Sequence, residues 1–182
     1  MKIYTMAKRK SERYHNEAAD DNSIPRVEEP VLAYQVKPAN APFLKKYVVL
    51  SVATRPESQM TALEKMDVTR SGISKKDLEV LKKRASLDYD DLAKALAVTR
   101  ATLINKKNSE KFNPSLSERI LSLADLYSYG YEVFEDEERF NQWMFKPNRA
   151  LGGVMPYDLT DNQFGREEIR NIIGRIDYGV YS

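Results

Sequence analysis

Between Pro114 and Phe134 one set of apolar side chains recurs at Leu116, Ile120, Leu123, Ala124, Tyr127, Tyr131 and Phe134. Those steps of four, three, one, three, four and three keep to one face of an α-helix. Pro114 falls in the first turn, where its missing N–H leaves no hydrogen bond broken. An apolar stripe of this length has to be covered by other elements of the chain. The segments on either side also carry helical periods, so the expected fold class is all-α, a set of short helices around a long one.

The flanking helices announce themselves through their caps. Leu63, Met66 and Val68 belong to a first helix that stops at Gly72, and Ser74 with Asp77 forms an N-cap signature for a second helix carrying Leu78, Leu81 and Ala85. Asp88 caps a third with Leu92, Ala93 and Leu96, and Thr99 caps a fourth with Leu103. Asp136 opens a short helix with Phe140, Trp143 and Met144, which Pro147 closes, and Trp143 and Phe145 are expected in the core, the alternative being that either lines an interface edge. Ile169, Ile172, Ile173 and Ile176 make the stripe of a last helix. Residues 1 to about 30 show no apolar period and read as a flexible tail. Residues 47–52 (YVVLSV) have strand character, while Phe43, Tyr47 and Leu50 keep helical spacing, so both readings stay open. Arg55 to Ser58 reads as a linker. The expected division is an N-terminal extension over 1–59, a helix-turn-helix domain over 60–112 and a second helical domain over 113–182.

Composition narrows the function. The chain has 182 residues, 42% hydrophobic and 31% charged, with no cysteine and a single histidine. Disulfides and cysteine-based zinc sites are thereby excluded, and His15, in the polar tail, does not make a metal site alone. No apolar run approaches a membrane span and the N-terminus lacks a secretory apolar region, so the expectation is a cytoplasmic protein. The net charge of +2 is unevenly spread. Residues 70–111 hold 11 Lys and Arg against 6 Asp and Glu, and residues 112–182 hold 7 against 12. Such a division suits a polyanion for the middle and a cationic surface for the end, although two solvated faces would read the same way.

The stretch from Tyr89 to Lys107, YDDLAKALAVTRATLINKK, carries a helix-turn-helix pattern. Leu92 and Ala93 supply the apolar pair, Leu96 and Val98 the buried turn, and Thr99 the cap, with Leu103 packing back. Glycine usually takes the turn position, but here it is Ala97, which must adopt a less favourable backbone or a different turn. Thr99, Arg100, Ala101, Thr102, Asn105, Lys106 and Lys107 are left away from the core as candidate DNA contacts. Early residues of such a second helix meet base edges in the major groove. Arg100 suits guanine, Asn105 suits adenine or a phosphate, and Ala101 or Thr102 a thymine methyl. Lys106 and Lys107 are better placed for phosphates. A helical hairpin that only packs is the alternative.

No dinucleotide fingerprint or P-loop is present, and Gly152-Gly153 before Pro156 makes a sharp loop with no strand ahead of it. The acids of Glu135 to Glu138 sit at a helix start, where they favour the dipole, and no nucleophile–base pair converges anywhere, so neither an enzyme nor a cofactor is expected. The end of the chain is more distinctive. Pro147-Asn148, Ala150-Leu151-Gly152-Gly153, Pro156 with Asp158-Leu159, Gly165, and Arg175-Ile176 with Tyr178-Gly179-Val180-Tyr181 follow one another in order. Together with the helix-turn-helix, these elements resemble the Xre/MbcA/ParS antitoxins over roughly Met60 to Ser182.

The resemblance implies a type II antitoxin whose C-terminal domain covers the NAD site of a RES-type toxin and blocks it. It assigns Asn148, Arg149, Leu151, Gly152, Gly153, Arg175, Tyr178, Gly179, Val180 and Tyr181 to the toxin interface, with no small-molecule substrate. A cleft that attracts a dinucleotide should be cationic, so the acidic end and the Ser182 carboxylate would be drawn to it, with Tyr178, Val180 and Tyr181 as anchors. Docking of those tyrosines onto the last helix is the plainer alternative. A homodimer on double-stranded operator DNA is expected, because such readers match two half-sites. The competing function is a transcriptional regulator with no toxin partner.

Overall fold

The long helix, α5 (Pro114–Phe134), is the element on which the others are assembled. The computed structural model describes residues 44 to 179; the N-terminal tail with His15, and Val180, Tyr181 and Ser182, lie outside the described residues. Asn113 caps α5, its Oδ1 accepting from the Leu116 N–H at 2.8 Å, with Pro114 at the first position as expected. Its apolar stripe, Leu116, Ile120, Leu123, Ala124, Tyr127 and Tyr131, is buried.

Ahead of α5 come α1 (Ala62–Ser71), α2 (Lys75–Arg84), α3 (Tyr89–Ala95) and α4 (Arg100–Ile104); after it come α6 (Glu137–Met144) and α7 (Gln163–Asp177). No strand occurs among the described residues, only an isolated bridge between Ser74 and Lys111. Each helix starts where its cap residue stands. Thr61, Ser74 and Asp88 form reciprocal capping boxes with Glu64, Asp77 and Asp91, and Thr99, Asp136 and Asn162 accept from the first turns of α4, α6 and α7. Among the described residues no helix is long and apolar enough to cross a membrane.

Around α5 the packing is aromatic at one end and ionic along one side. Tyr127, Tyr131, Phe134, Phe140 and Trp143 meet edge-on or stacked, with ring centroids 5.3–6.0 Å apart. Phe140 lies directly over Gly130, where an added Cβ would sit 2.2 Å from its ring. On another side Asp125 takes Lys65 of α1 and Arg170 of α7, each at 2.8 Å, tying three helices together. Phe145 departs from expectation: it is 38% exposed, its ring stacked on Tyr157 at 4.6 Å. The backbone ends α6 at that residue, so its side chain turns outward with the loop.

The reading of Arg55–Ser58 as a linker is corrected. Pro56 and Glu57 are buried, and Glu57 opens a short 3-10 turn (Glu57–Gln59) against α5. Its carboxylate accepts the Val49 and Leu50 N–H groups at 2.6–3.1 Å. Residues 47–52 are accordingly neither strand nor helix: Tyr47 ends a 3-10 turn (Leu44–Tyr47) and a carboxylate, not a ladder, satisfies the following amides. Ser128 of α5 donates to the Tyr47 carbonyl at 3.0 Å. Tyr47, Val49 and Leu50 belong to the core, so packed chain begins before residue 60.

Two outcomes follow from this packing. Gly130→Ala should destabilise the protein by about 1–3 kcal/mol through overpacking, and Phe140→Leu in the same chain should recover part of the loss in denaturant unfolding. Burial pushes the Glu57 carboxyl up to about 6, against the Val49 and Leu50 hydrogen bonds and the charge of Arg84, which pull the other way. A carboxyl that is easier to protonate in the folded state makes folding weaker as pH rises through the window from 4.5 to about 6. The unfolding free energy of the wild type, measured against that of Glu57→Gln, should therefore fall by about 2 kcal/mol across that window.

Candidate functional site

The α3–α4 pair is a helix-turn-helix whose turn is held by a strained residue. The Val98 N–H returns to the Ala93 carbonyl at 2.9 Å and the Ala97 N–H to Lys94 at 3.0 Å. This is a Schellman ending, and it places Ala97 at the left-handed position with φ of 50°. The first of the two expected solutions for a missing glycine is thus the one adopted, at a cost of about 1 kcal/mol for an L residue. The turn leaves the carbonyls of Ala95, Leu96 and Ala97 facing outward from α3, and two arginines from distant helices occupy them. Arg166 of α7 donates to Ala95 at 3.0 Å, and Arg119 of α5 donates to Leu96 at 3.1 Å and Ala97 at 3.3 Å. Arg166 is buried, and its other nitrogens reach the Thr160 carbonyl at 2.7 Å and Ser122 Oγ at 3.3 Å. Burial, and then the nearby Arg119 charge, hold its guanidinium below the ordinary arginine range.

Thr99 caps α4, accepting from the Thr102 N–H at 3.2 Å, and Leu103 is buried beneath it. Thr99, Ala101, Thr102, Asn105 and Lys106 share one shallow groove, whose other wall is Glu110. Arg100 and Lys107 do not line it. Arg100 is exposed but turned toward Asp90 at the start of α3, at 2.9 Å. Lys106 is half-buried, donating to the Lys111 carbonyl at 2.7 Å above the Phe112 ring. Two participants escaped the sequence reading. Glu110 puts a carboxylate in the groove, and Lys75 of α2 donates to the Ile104 carbonyl, at 2.6 Å, at the end of α4. Lys75 is 29 residues from Ile104, so no local signal marks it.

The residues singled out near the C-terminus fall into two groups. Asn148, Arg149, Leu151, Gly152 and Gly153 form a small loop closed on itself: Asn148 Oδ1 accepts from Ala150, and the Gly153 N–H donates to the Asn148 carbonyl at 2.8 Å. Arg149 and both glycines are exposed and Leu151 is half-buried. Arg175 and Tyr178, at the end of α7, line a separate open cleft with Tyr129, Arg170, Asn171 and Gly174, about 760 Å³ in volume, to which the loop does not contribute. Tyr178 is 83% exposed, so this tyrosine does not dock on the last helix. Gly179 follows it, whereas Val180 and Tyr181 lie outside the described residues.

Other residues of the C-terminal pattern do structural work. A Cβ on Gly165 would meet the Leu159 carbonyl oxygen at 1.9 Å, so only glycine lets α7 start against that loop. Pro156–Leu159 forms a 3-10 turn from which the Tyr157 hydroxyl donates to the Asp91 carbonyl at 3.1 Å and Asp158 pairs with Lys94 at 2.7 Å. Both contacts reach α3, joining the C-terminal part to the helix-turn-helix. In the acidic run, Asp136 caps α6, Glu137 pairs with Arg84, and Glu135 ends α5 at φ of 57°. No group of residues fit to hold a metal ion occurs among the described residues.

Comparison with known proteins agrees with this two-part layout. Residues 65–125 match the antitoxin Xre-like helix-turn-helix domain, and residues 130–179 match the antitoxin Xre/MbcA/ParS C-terminal toxin-binding domain. The chain is 34% identical over 73 residues to an antitoxin Xre of Photorhabdus laumondii, covering 40% of this chain and 49% of that protein. It is 28% identical over 131 residues to a Prs ADP-ribosylating antitoxin of a Sphingobium species, covering 66% and 82%. To an antitoxin Xre of Yersinia enterocolitica it is 26% identical over 129 residues, covering 70% and 86%. The match thus spans about half the length of the Photorhabdus relative and most of the other two. With residues 65–125 and 130–179 matching the two successive parts of one domain pair, the chain belongs to the Xre/MbcA/ParS antitoxins.

Proposed function

We propose that this chain is the antitoxin of a type II toxin–antitoxin pair, that its partner is a RES-type NAD-consuming toxin, and that it represses its own operon as a homodimer in the cytoplasm. The observation that carries the toxin half is Tyr178, a large aromatic left 83% exposed beside Arg175 at the rim of an open cleft. Exposed aromatic and arginine side chains are the usual anchors of an interface. The acidic excess of residues 112–182 favours a cationic counterpart, such as a cleft shaped for the phosphates of a dinucleotide. On this reading α7 delivers Arg175, Tyr178, Gly179, Val180 and Tyr181 to the toxin's cleft, and the loop of Asn148, Arg149, Leu151, Gly152 and Gly153 forms a second, separate contact. The Sphingobium relative, an antitoxin named for ADP-ribosylation, favours ADP-ribose transfer over plain NAD hydrolysis as the toxin's reaction.

The DNA half rests on the groove of Thr99, Ala101, Thr102, Asn105 and Lys106. On this reading Ala101 and Thr102, which line that groove, meet base edges, and the exposed Lys107 meets phosphates. Arg100 is held by Asp90 and has to exchange that carboxylate for guanine or phosphate on binding. The domain division proposed is 60–112 for DNA and 113–182 for the toxin, preceded by the extension over 1–59.

Two measurements test the two halves separately. Tyr178→Ala should leave the thermal unfolding midpoint within a degree or two of wild type, because an exposed side chain is removed. In cells expressing the neighbouring toxin gene, the same variant should lose growth rescue and allow NAD to fall; full rescue would overturn the toxin reading. Arg100→Ala with Lys106→Ala should weaken binding to the upstream duplex at least about tenfold, flatten its salt dependence, and leave rescue unchanged.

A further inference from the structure

The DNA-reading turn is held in place by the part of the chain assigned to the toxin. All of the outward carbonyls at the end of α3 are taken by side chains from helices far along the chain: Ala95 by Arg166, and Leu96 and Ala97 by Arg119. The separations are 71, 23 and 22 residues. These are the groups that a helix end leaves without partners, and a cation there also meets the negative end of the helix dipole. They flank the strained turn residue, Ala97 with φ of 50°, whose geometry sets the angle at which α4 leaves α3.

We propose that Arg119 and Arg166 are positioning residues for DNA recognition, clamping the Ala97 turn so that α4 is presented at a fixed angle. Neither residue is among those expected to touch DNA, and the inference rests on the DNA-binding reading above. Because Arg166 belongs to α7, the helix that ends in Arg175 and Tyr178, the reading helix and the toxin-facing end share one rigid support. Glycine at position 97 would relieve the strain and make the clamp dispensable. That gives the proposal a signature which a general loss of stability does not share.

The test uses the full chain and a duplex spanning the region upstream of its own gene, with affinity measured by fluorescence anisotropy over a range of salt. Arg119→Gln should weaken binding about tenfold, the loss expected for charge-assisted hydrogen bonds, without changing the slope of affinity against salt. Arg166→Lys, which keeps the charge and loses the fork, should act in the same direction. Adding Ala97→Gly to Arg119→Gln should restore affinity to within about threefold of Ala97→Gly alone, the mark of coupling through the turn. Hydrogen exchange supplies a readout that needs no DNA: the Ala97 and Val98 amides should lose protection in Arg119→Gln, while the core amides of α5 keep theirs. Wild-type affinity and wild-type turn protection in Arg119→Gln would overturn the clamp. A loss that Ala97→Gly fails to rescue, with a shallower salt slope, would overturn it in favour of a direct phosphate contact. A wild-type chain that binds no duplex even at low salt would instead overturn the DNA-binding reading, and the exchange data would still decide whether the clamp exists.

Discussion

Everything in this molecule is arranged by the burial of one helix surface. The stripe of α5 from Leu116 to Tyr131 cannot be covered by any single neighbour, so α1, α6, α7 and the 3-10 turn at Glu57 each take part of it. Close approach at Gly130 lets Phe140 settle on the helix, and Asp125 draws α1 and α7 to the same flank through Lys65 and Arg170. The matched helix-turn-helix and toxin-binding segments end and begin at 125 and 130, both inside α5. One continuous helix therefore belongs to both functional halves. Their separation in sequence is not a separation in packing.

That shared support explains why an unfavourable turn is tolerated where glycine would serve. Ala97 is held in the left-handed region by two backbone hydrogen bonds, and its neighbouring carbonyls are occupied by Arg119 and Arg166. The guanidinium of Arg166 is buried without a carboxylate and is satisfied by carbonyl and hydroxyl oxygens alone. Such an arrangement is worthwhile only where the surroundings fix every partner, because a buried cation whose acceptors shift is left unsatisfied. The same region carries the Lys94–Asp158 pair and the Tyr157 hydroxyl on Asp91, so three separate contacts fasten the C-terminal part to α3.

The two expected surfaces fared differently. Five of the seven candidate DNA contacts share a groove, because the helix-turn-helix spacing alone places Thr99, Ala101, Thr102, Asn105 and Lys106 on one side of α4. Arg100 and Lys106 illustrate what spacing omits: each has a local partner, Asp90 in one case and the Lys111 carbonyl in the other. The candidate toxin contacts split into the 148–153 loop and the end of α7, and Tyr129 and Arg170 join the latter group from faces the sequence does not mark.

Local chemistry was readable from the chain itself. Caps at Ser74, Asp88, Thr99 and Asp136, Pro114 in the first turn of α5, the stop at Gly72, and the periods of α5 and α7 depend on residues within one or two helical turns, so their meaning survives without the fold. Glu57 shows the opposite case. In sequence it belongs to a polar, proline-bearing stretch, and only the folded chain brings Val49 and Leu50 onto its carboxylate and α5 over its back. The arginine clamp on α3 is likewise a decision of the tertiary structure. A guanidinium finds a carbonyl 71 residues away only because α7 packs along α5 and carries it there. Short-range hydrogen bonds and periodicity determine which segments are helices; which groups they leave for one another is settled by packing, since burial forces each polar atom to find a partner from whatever element lies nearest in space.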